Sequence, residues 1–366
     1  SHNPWRLSHN PDRMMLRCLL LLAIFFLTGP TTHGGESRPM VPAVFLFGDS
    51  LVDVGNNDYF LTVVKANFPP YGRDFKNQVA TGRFGNGKLL SDIIAEKVGF
   101  TGSPPPYLGM RASGQNLMTG ANFASAGSGY YDPTALEFKV IPLSQQLEYF
   151  KEYKSKLTVV AGNSQSHAII SGALYIISAG SNDFGPNYYI NPLLFKTLTV
   201  DQFADLIVSI FSNTVTQLHG MGARRIGVFS LPPLGCFPLA ITVFGHGRGG
   251  CVSRLNRGSQ IYNKKLNIAV NTLSRQYHDL KIAVLDIYTP LYNIANSPRS
   301  QGFIEARRSC CATGTIETSV FLCNPLSIGT CPNATSYVYW DVAHPSEKTN
   351  QLIVDSFLVE LGSLAA

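Results

Sequence analysis

The chain has 366 residues, 45% of them hydrophobic and 14% charged, with a formal charge of +6 at neutral pH. This suffices for one large α/β domain or two ordinary ones with a substantial core. The positive balance is mild and no Lys/Arg run stands out, so nothing points to nucleic acid. No stretch beyond the N-terminal region is long and apolar enough to span a bilayer.

Residues 1–13 contain no Met and read as upstream sequence. From Met14, a basic flank ending in Arg17 leads into the apolar run Cys18–Leu27, which breaks at Thr28-Gly29-Pro30. Such a run is too short to cross a membrane and matches a secretory signal peptide. Small residues around Thr32–Gly35 offer cleavage points. The expectation is upstream sequence and signal over 1–34, one domain over 35–366, and a secreted protein, extracellular or in the cell wall, without stable membrane insertion.

Ala43–Phe47 is the first interior strand, a short apolar run closed by the turn Gly48-Asp49-Ser50. A serine just past the carboxyl end of a parallel strand stands where a nucleophile is held over a crevice. It can equally close a turn or cap a helix. A polar, turn-rich segment (53–83) follows, then helical periodicity over Leu89–Val98 and a loop at Pro104-Pro105-Pro106. Asn116–Ala124 reads as strand two, running into the small-residue turn Ser125-Ala126-Gly127-Ser128-Gly129. Pro142 starts a helix expected to last to about Leu157. Leu174–Ser178 is the clearest interior strand, ended by Ala179-Gly180-Ser181-Asn182-Asp183. Then come an amphipathic helix over Val200–Leu218, strand four over Arg225–Ser230, a long helix over Leu255–Tyr277 and strand five over Lys281–Asp286. A cysteine-rich loop is expected over about 300–333, and Ser346–Leu361 reads as a final helix. Strands separated by helices predict a parallel sheet covered on both faces.

Beyond the signal the chain has six cysteines: Cys236, Cys251, Cys310, Cys311, Cys323 and Cys331. An even number on a secreted route predicts disulfides, with the pairing open except that Cys310 and Cys311 do not easily bridge to each other. CxxC and HxxxH spacings are absent, so no metal site is expected. Asn333-Ala334-Thr335 is a glycosylation sequon.

A serine nucleophile needs a base, most often a histidine oriented by a carboxylate. His219 and His278 lie near helix ends, where a cation suits the dipole. His167 sits before strand three without a nearby carboxylate, and His246 is in a Gly-rich loop. His344 differs, because Asp341 precedes it by three positions in Trp340-Asp341-Val342-Ala343-His344-Pro345. A turn of that length can bring the carboxylate to one imidazole nitrogen and leave the other for a serine. It can also be an ordinary capped helix start. Gly127 and Asn182, each after a parallel strand, are candidate oxyanion donors; the competing readings are a turn glycine and a helix cap. Two other motifs do not compete. No serine has Gly-x-Ser-x-Gly flanking. Gly245-His246-Gly247-Arg248-Gly249-Gly250 fits GxGxxG but falls between Cys236 and Cys251, away from the opening βα unit, and reads as a disulfide-restrained loop.

Four blocks resemble the GDSL, or SGNH, hydrolases, in particular the plant GDSL esterase/lipases. They are Phe47-Gly48-Asp49-Ser50 through Asp53 and Gly55-Asn56-Asn57; Gly120–Gly129; Gly180-Ser181-Asn182-Asp183; and Tyr339–Ser346. Thr81-Gly82-Arg83-Phe84 and Leu231–Cys236 are also similar. The resemblance implies a flavodoxin-like α/β/α sandwich with five parallel strands and no metal or organic cofactor. It implies Ser50 as nucleophile, His344 as base, Asp341 as its orienter, and the Ser50 and Gly127 amides with the Asn182 side chain as oxyanion hole. The expected function is hydrolysis of a small-molecule or lipid carboxylic ester. The alternatives are an acyltransferase with the same machinery, or a non-catalytic secreted or wall-binding protein.

Overall fold

The computed structural model describes residues 38–109, 112–245, 249–311, 323–324 and 330–366; the upstream and signal assignments over 1–34 lie outside them. Its centre is β1 (Val44–Gly48), buried at every position. Alternate residues of this run face opposite sides of the sheet. Phe45 and Phe47 join one core with Phe123, Phe150 and Tyr175. Val44 and Leu46 join a second with Ile93, Ile176 and Phe357. A strand apolar on both faces needs a helical layer on each side, and that requirement produces three layers.

Both layers are present. On the Phe45 side pack α2 (Leu143–Gly172), α3 (Val200–Gly220) and α5 (Ser253–Gln276). On the Val44 side pack α1 (Leu90–Lys97), α6 (Tyr288–Asn296), α7 (Glu347–Ser356) and α8 (Leu358–Ala365). Between them the parallel strands run in the order β2-β1-β3-β4-β5, with β2 at Gly120–Asn122, β3 at Leu174–Ser178, β4 at Arg225–Phe229 and β5 at Lys281–Leu285. This is the flavodoxin-like order expected, and it reverses direction between β1 and β3. Ligand crevices in such sheets open at that reversal, outside the carboxyl ends of the strands. The turns after β1 and β3 carry Ser50 and Asn182.

Several elements differ from the expectation. Strand two is shorter than 116–124: a 3₁₀ turn occupies Gly114–Thr119 and β2 begins at Gly120. Gly120 has φ +107°, and a Cβ there would lie 1.9 Å from the Val44 carbonyl oxygen. The helix expected to stop near Leu157 continues to Gly172 across a break at Gly162 (φ 77°, ψ 165°), which puts His167 on a helix rather than in a short connection. The last helix divides at Phe357 into α7 and α8. The cysteine-rich loop contains β6 (Glu305–Ser309), paired with β7 (Tyr337–Tyr339). A short helix, α4 (Pro238–Phe244), fills part of the excursion between β4 and α5. The disulfides are Cys236–Cys251, Cys310–Cys331 and Cys311–Cys323, so the adjacent cysteines pair with different partners.

Candidate active site

The turn after β1 is built on Gly48. Its φ is +123°, and a Cβ there would overlap the Ser178 carbonyl of β3 at 1.6 Å, so only glycine fits. The Gly48 peptide is clamped by one side chain: its N–H donates to Gln146 Oε1 at 2.7 Å, and its carbonyl accepts from Gln146 Nε2 at 2.9 Å. Asp49 follows, buried, its Oδ1 accepting from Leu51 N (3.1 Å) and Ser178 Oγ (2.9 Å). Burial pushes its carboxyl up to about 6, against the lowering effect of those two bonds. Ser50 is thereby presented on a rigid, half-exposed corner.

Its partner arrives from the other end of the chain. Ser50 Oγ lies 2.7 Å from His344 Nε2, and His344 Nδ1 lies 2.7 and 2.8 Å from the two oxygens of Asp341. The three-residue gap closes as a turn: Asp341 Oδ1 also accepts from His344 N (2.8 Å) and Ala343 N (3.0 Å). Asp341 Oδ2 accepts from the buried Tyr71 hydroxyl at 2.9 Å. Burial pushes the Asp341 carboxyl up, but His344 and the hydrogen bonds outweigh it, and the group is held below the usual carboxylate range. An ionised carboxylate facing Nδ1 fixes the proton there and leaves Nε2 to accept from the serine. The Phe84 ring, 5.1 Å from the imidazole, shields its face.

Gly127 and Asn182 line the same cavity as Ser50 and His344. Gly127 has φ +89° at the turn after β2, a conformation that favours glycine although the nearest neighbour of an added Cβ, Val140, is 3.4 Å away. Asn182 precedes the helical segment Asp183–Ile190 and makes no side-chain cap. Its Nδ2 donates to Ser128 O at 2.8 Å, which aims the amide while leaving a second N–H. These two turns are tied to the first by buried polar side chains. Asp53 accepts from the Gly55, Asn56 and Ala126 backbone amides (2.8, 2.8 and 2.9 Å), and Asn56 Nδ2 donates to the Asn122 and Ala124 carbonyls at 2.8 Å. Asp183 accepts from Tyr130 N (2.7 Å), Tyr131 N (3.2 Å) and Thr134 Oγ (2.6 Å). Burial pushes Asp183 up to about 7 despite those donors. A Cβ on Gly129 would sit 2.3 Å from an Asp183 oxygen, so the last glycine of the Gly120–Gly129 block makes room for the carboxylate.

The other histidines stand apart. His167 and His278 are exposed, His219 pairs with Asp279 at 2.8 Å and stacks on Tyr277, and His246 lies outside the described residues. The Gly245–Gly250 motif, of which residues 246–248 are likewise outside, falls within the loop closed by Cys236–Cys251. Among the described residues no cluster of His, Cys, Asp and Glu is arranged to hold a metal ion. Asn333 is exposed, its Oδ1 accepting from the Thr335 amide and hydroxyl at 3.0 and 2.7 Å. Sequence reasoning missed Tyr71 and Gln146. Neither belongs to a local pattern: they meet Asp341 and Gly48 across 270 and 98 residues.

Residues 44–357 match the family model described as GDSL-like lipase/acylhydrolase. The Arabidopsis thaliana protein GDSL esterase/lipase APG is 56% identical over 319 residues, 87% of this chain and 90% of its own length. GDSL esterase/lipase At5g22810 from the same plant is 54% identical over 88% of this chain and 90% of its length. GDSL esterase/lipase At5g03820 is 52% identical, covering 95% of this chain and 97% of its own.

Proposed function

This chain belongs to the GDSL-like lipase/acylhydrolase family, and from that membership we propose the chemistry of a serine ester hydrolase acting through Ser50, His344 and Asp341. The observation that carries the roles is the unbroken line of contacts from Ser50 Oγ through His344 to Asp341, each 2.7–2.8 Å long. Ser50 Oγ attacks the ester carbonyl as its proton passes to His344 Nε2; the carbonyl electrons move onto the oxygen. The Ser50 and Gly127 amides and the free N–H of Asn182 receive that developing charge. Collapse of the adduct breaks the bond to the alcohol, which takes the proton from His344. Water then attacks the acyl-enzyme, gives its proton to His344, and the acid leaves as Ser50 regains that proton. Asp341 stays ionised and stabilises the imidazolium in both halves.

The substrate is a small-molecule ester. Secretion is supported by the three disulfides, which persist on an oxidising route. N-glycosylation at Asn333 is supported by that residue's exposure. No helix among the described residues is long and apolar enough to cross a membrane. The direct test is Ser50→Ala. It should lose ester turnover and fluorophosphonate labelling while its melting temperature stays near that of the parent, because only a half-exposed hydroxyl is removed. Retained turnover in this variant would remove the mechanism.

A further inference from the structure

The cavity that receives the ester is larger and more apolar than catalysis requires. It encloses about 310 Å³ and is lined by Ser50 and His344 at its reactive end. From Asn182 its wall continues along the helical segment Asp183–Ile190 through Gly185, Pro186 and Ile190. Part of the remainder comes from α4, through Leu239, Ala240 and Phe244. Ile190 is 51% exposed although it lines the cavity, which marks an open edge. Among the described lining residues Asp49 and Ser181 are polar beside the catalytic groups, whereas Gly185, Pro186, Ile190, Leu239, Ala240 and Phe244 carry no polar side chain, so a polar limb lying along them would leave its hydrogen bonds unmade.

The two ends of an ester are not equivalent in this site. His344 must return its proton to the departing alcohol, so the alcohol lies against Nε2. The carbonyl oxygen points to Gly127 and Asn182, which leaves the acyl chain the rest of the cavity, walled by Asp183–Ile190 and α4. Two small residues keep that space open. Gly185 lacks a side chain, and a Cβ built on it meets no atom within 4 Å. Ala240 is buried at 6% exposure on α4. The larger residues that could stand at either position would occupy cavity volume.

We propose that this cavity is an acyl-chain site, and that Gly185 and Ala240 set the length it accepts, favouring a straight apolar acyl group of medium or greater length over acetyl. The proposal rests on the ester-hydrolase reading above. Each methylene that enters an apolar wall gains about 0.8 kcal/mol, equivalent to about fourfold in kcat/KM.

The test measures kcat/KM of the full chain on p-nitrophenyl acetate, butanoate, octanoate and dodecanoate, beside acetate esters of alcohols of matching length. Fluorophosphonate labelling is followed in parallel. The expected result is a rise of about fourfold per methylene along the acyl series until the cavity is filled, and a flat alcohol series. Gly185→Leu and Ala240→Leu, each checked for folding by its melting temperature, should lower the octanoate-to-acetate ratio by about tenfold or more. A flat or falling acyl series in the parent overturns the proposal, as does a rise confined to the alcohol series. An unchanged ratio in folded Gly185→Leu and Ala240→Leu does the same for the two named residues; should neither variant fold, the parent series still decides. Absence of both turnover and labelling would instead strike the ester-hydrolase reading on which the proposal stands.

Discussion

Replacing Tyr71 with Phe removes one oxygen and leaves the ring in place. The ring is buried against Phe84, Phe68 and Trp340, with centroids 5.4, 5.7 and 6.5 Å away, and phenylalanine preserves those contacts. What disappears is the 2.9 Å bond from the hydroxyl to Asp341 Oδ2. Burial and the adjacent Asp341 charge push the Tyr71 hydroxyl well above its ordinary pKa, so it is a neutral donor at working pH. A hydrogen bond to a buried charge is worth about 1.5–3 kcal/mol. For a unit spanning Pro39–Ala366 the unfolding entropy is about 0.7 kcal/mol per kelvin, so the melting temperature should fall by about 2–4 °C at pH 7. The sign of the pH dependence follows from Asp341. Its pKa is held low in the fold, so its stabilisation is present above the unfolded carboxyl value of about 3.9 and is lost as pH falls through the folded one. The difference between Tyr71→Phe and the parent should therefore narrow in acid. Activity should fall by less than about tenfold, because both contacts to His344 Nδ1 remain and the tautomer is still fixed. Thermal melts at pH 7 and below about pH 3, with kcat/KM at pH 7, test all three expectations. An unchanged melting temperature, or an activity loss beyond a hundredfold, would refute the assignment of Tyr71 as a support for Asp341.

Asp341→Asn should fold and lose activity by a factor on the order of 10⁴, because the tautomer is no longer imposed; a loss below tenfold would show that another group orients His344. Asn182→Ala should lower kcat by roughly 10²–10³ with KM little changed, and fluorophosphonate should still label Ser50, more slowly. A lowered melting temperature with kcat per folded molecule intact would make Asn182 a scaffold residue only. Asp183→Asn addresses the buried carboxyl pushed up to about 7. A raised pKa favours the protonated native state, so its stabilisation is full below about 3.9 and is lost as pH rises through about 7. Melting curves from pH 4 to 8 should show the variant gaining relative to the parent as pH rises; a constant difference would place Asp183 outside that titration.

The candidate triad of Ser50, His344 and Asp341 was legible in the chain from local relations together with the family resemblance of the blocks that hold them. Ser50 follows a short apolar run closed by turn residues, the pattern of an interior strand, and Asp341 reaches His344 within one turn. The parallel sheet and its two helical layers were legible for a similar reason, since strands apolar on both faces and separated by helices have few other arrangements. Boundaries fared worse where local signals conflicted with packing. Gly162 and the polar run Asn163–His167 suggest an end, yet the helix resumes beyond Gly162 and buries Ser166, Ile169 and Ile170.

Sequence alone thus determined the family and the candidate residues, because Ser50, Asp341 and His344 sit in short motifs whose local relations the backbone sets within a few residues. Tertiary structure decided how that chemistry is supported and what space it faces. Gln146 clamps the Gly48 peptide, Tyr71 holds Asp341, and Asp183 binds the turn after β2, all across distances along the chain that no local pattern records. The cavity walls come from Asp183–Ile190 and α4, which are adjacent only because β3 and β4 are neighbours in the sheet. A buried hydrogen bond or a shared apolar wall is a property of proximity, and proximity between remote segments exists only once the sheet has formed.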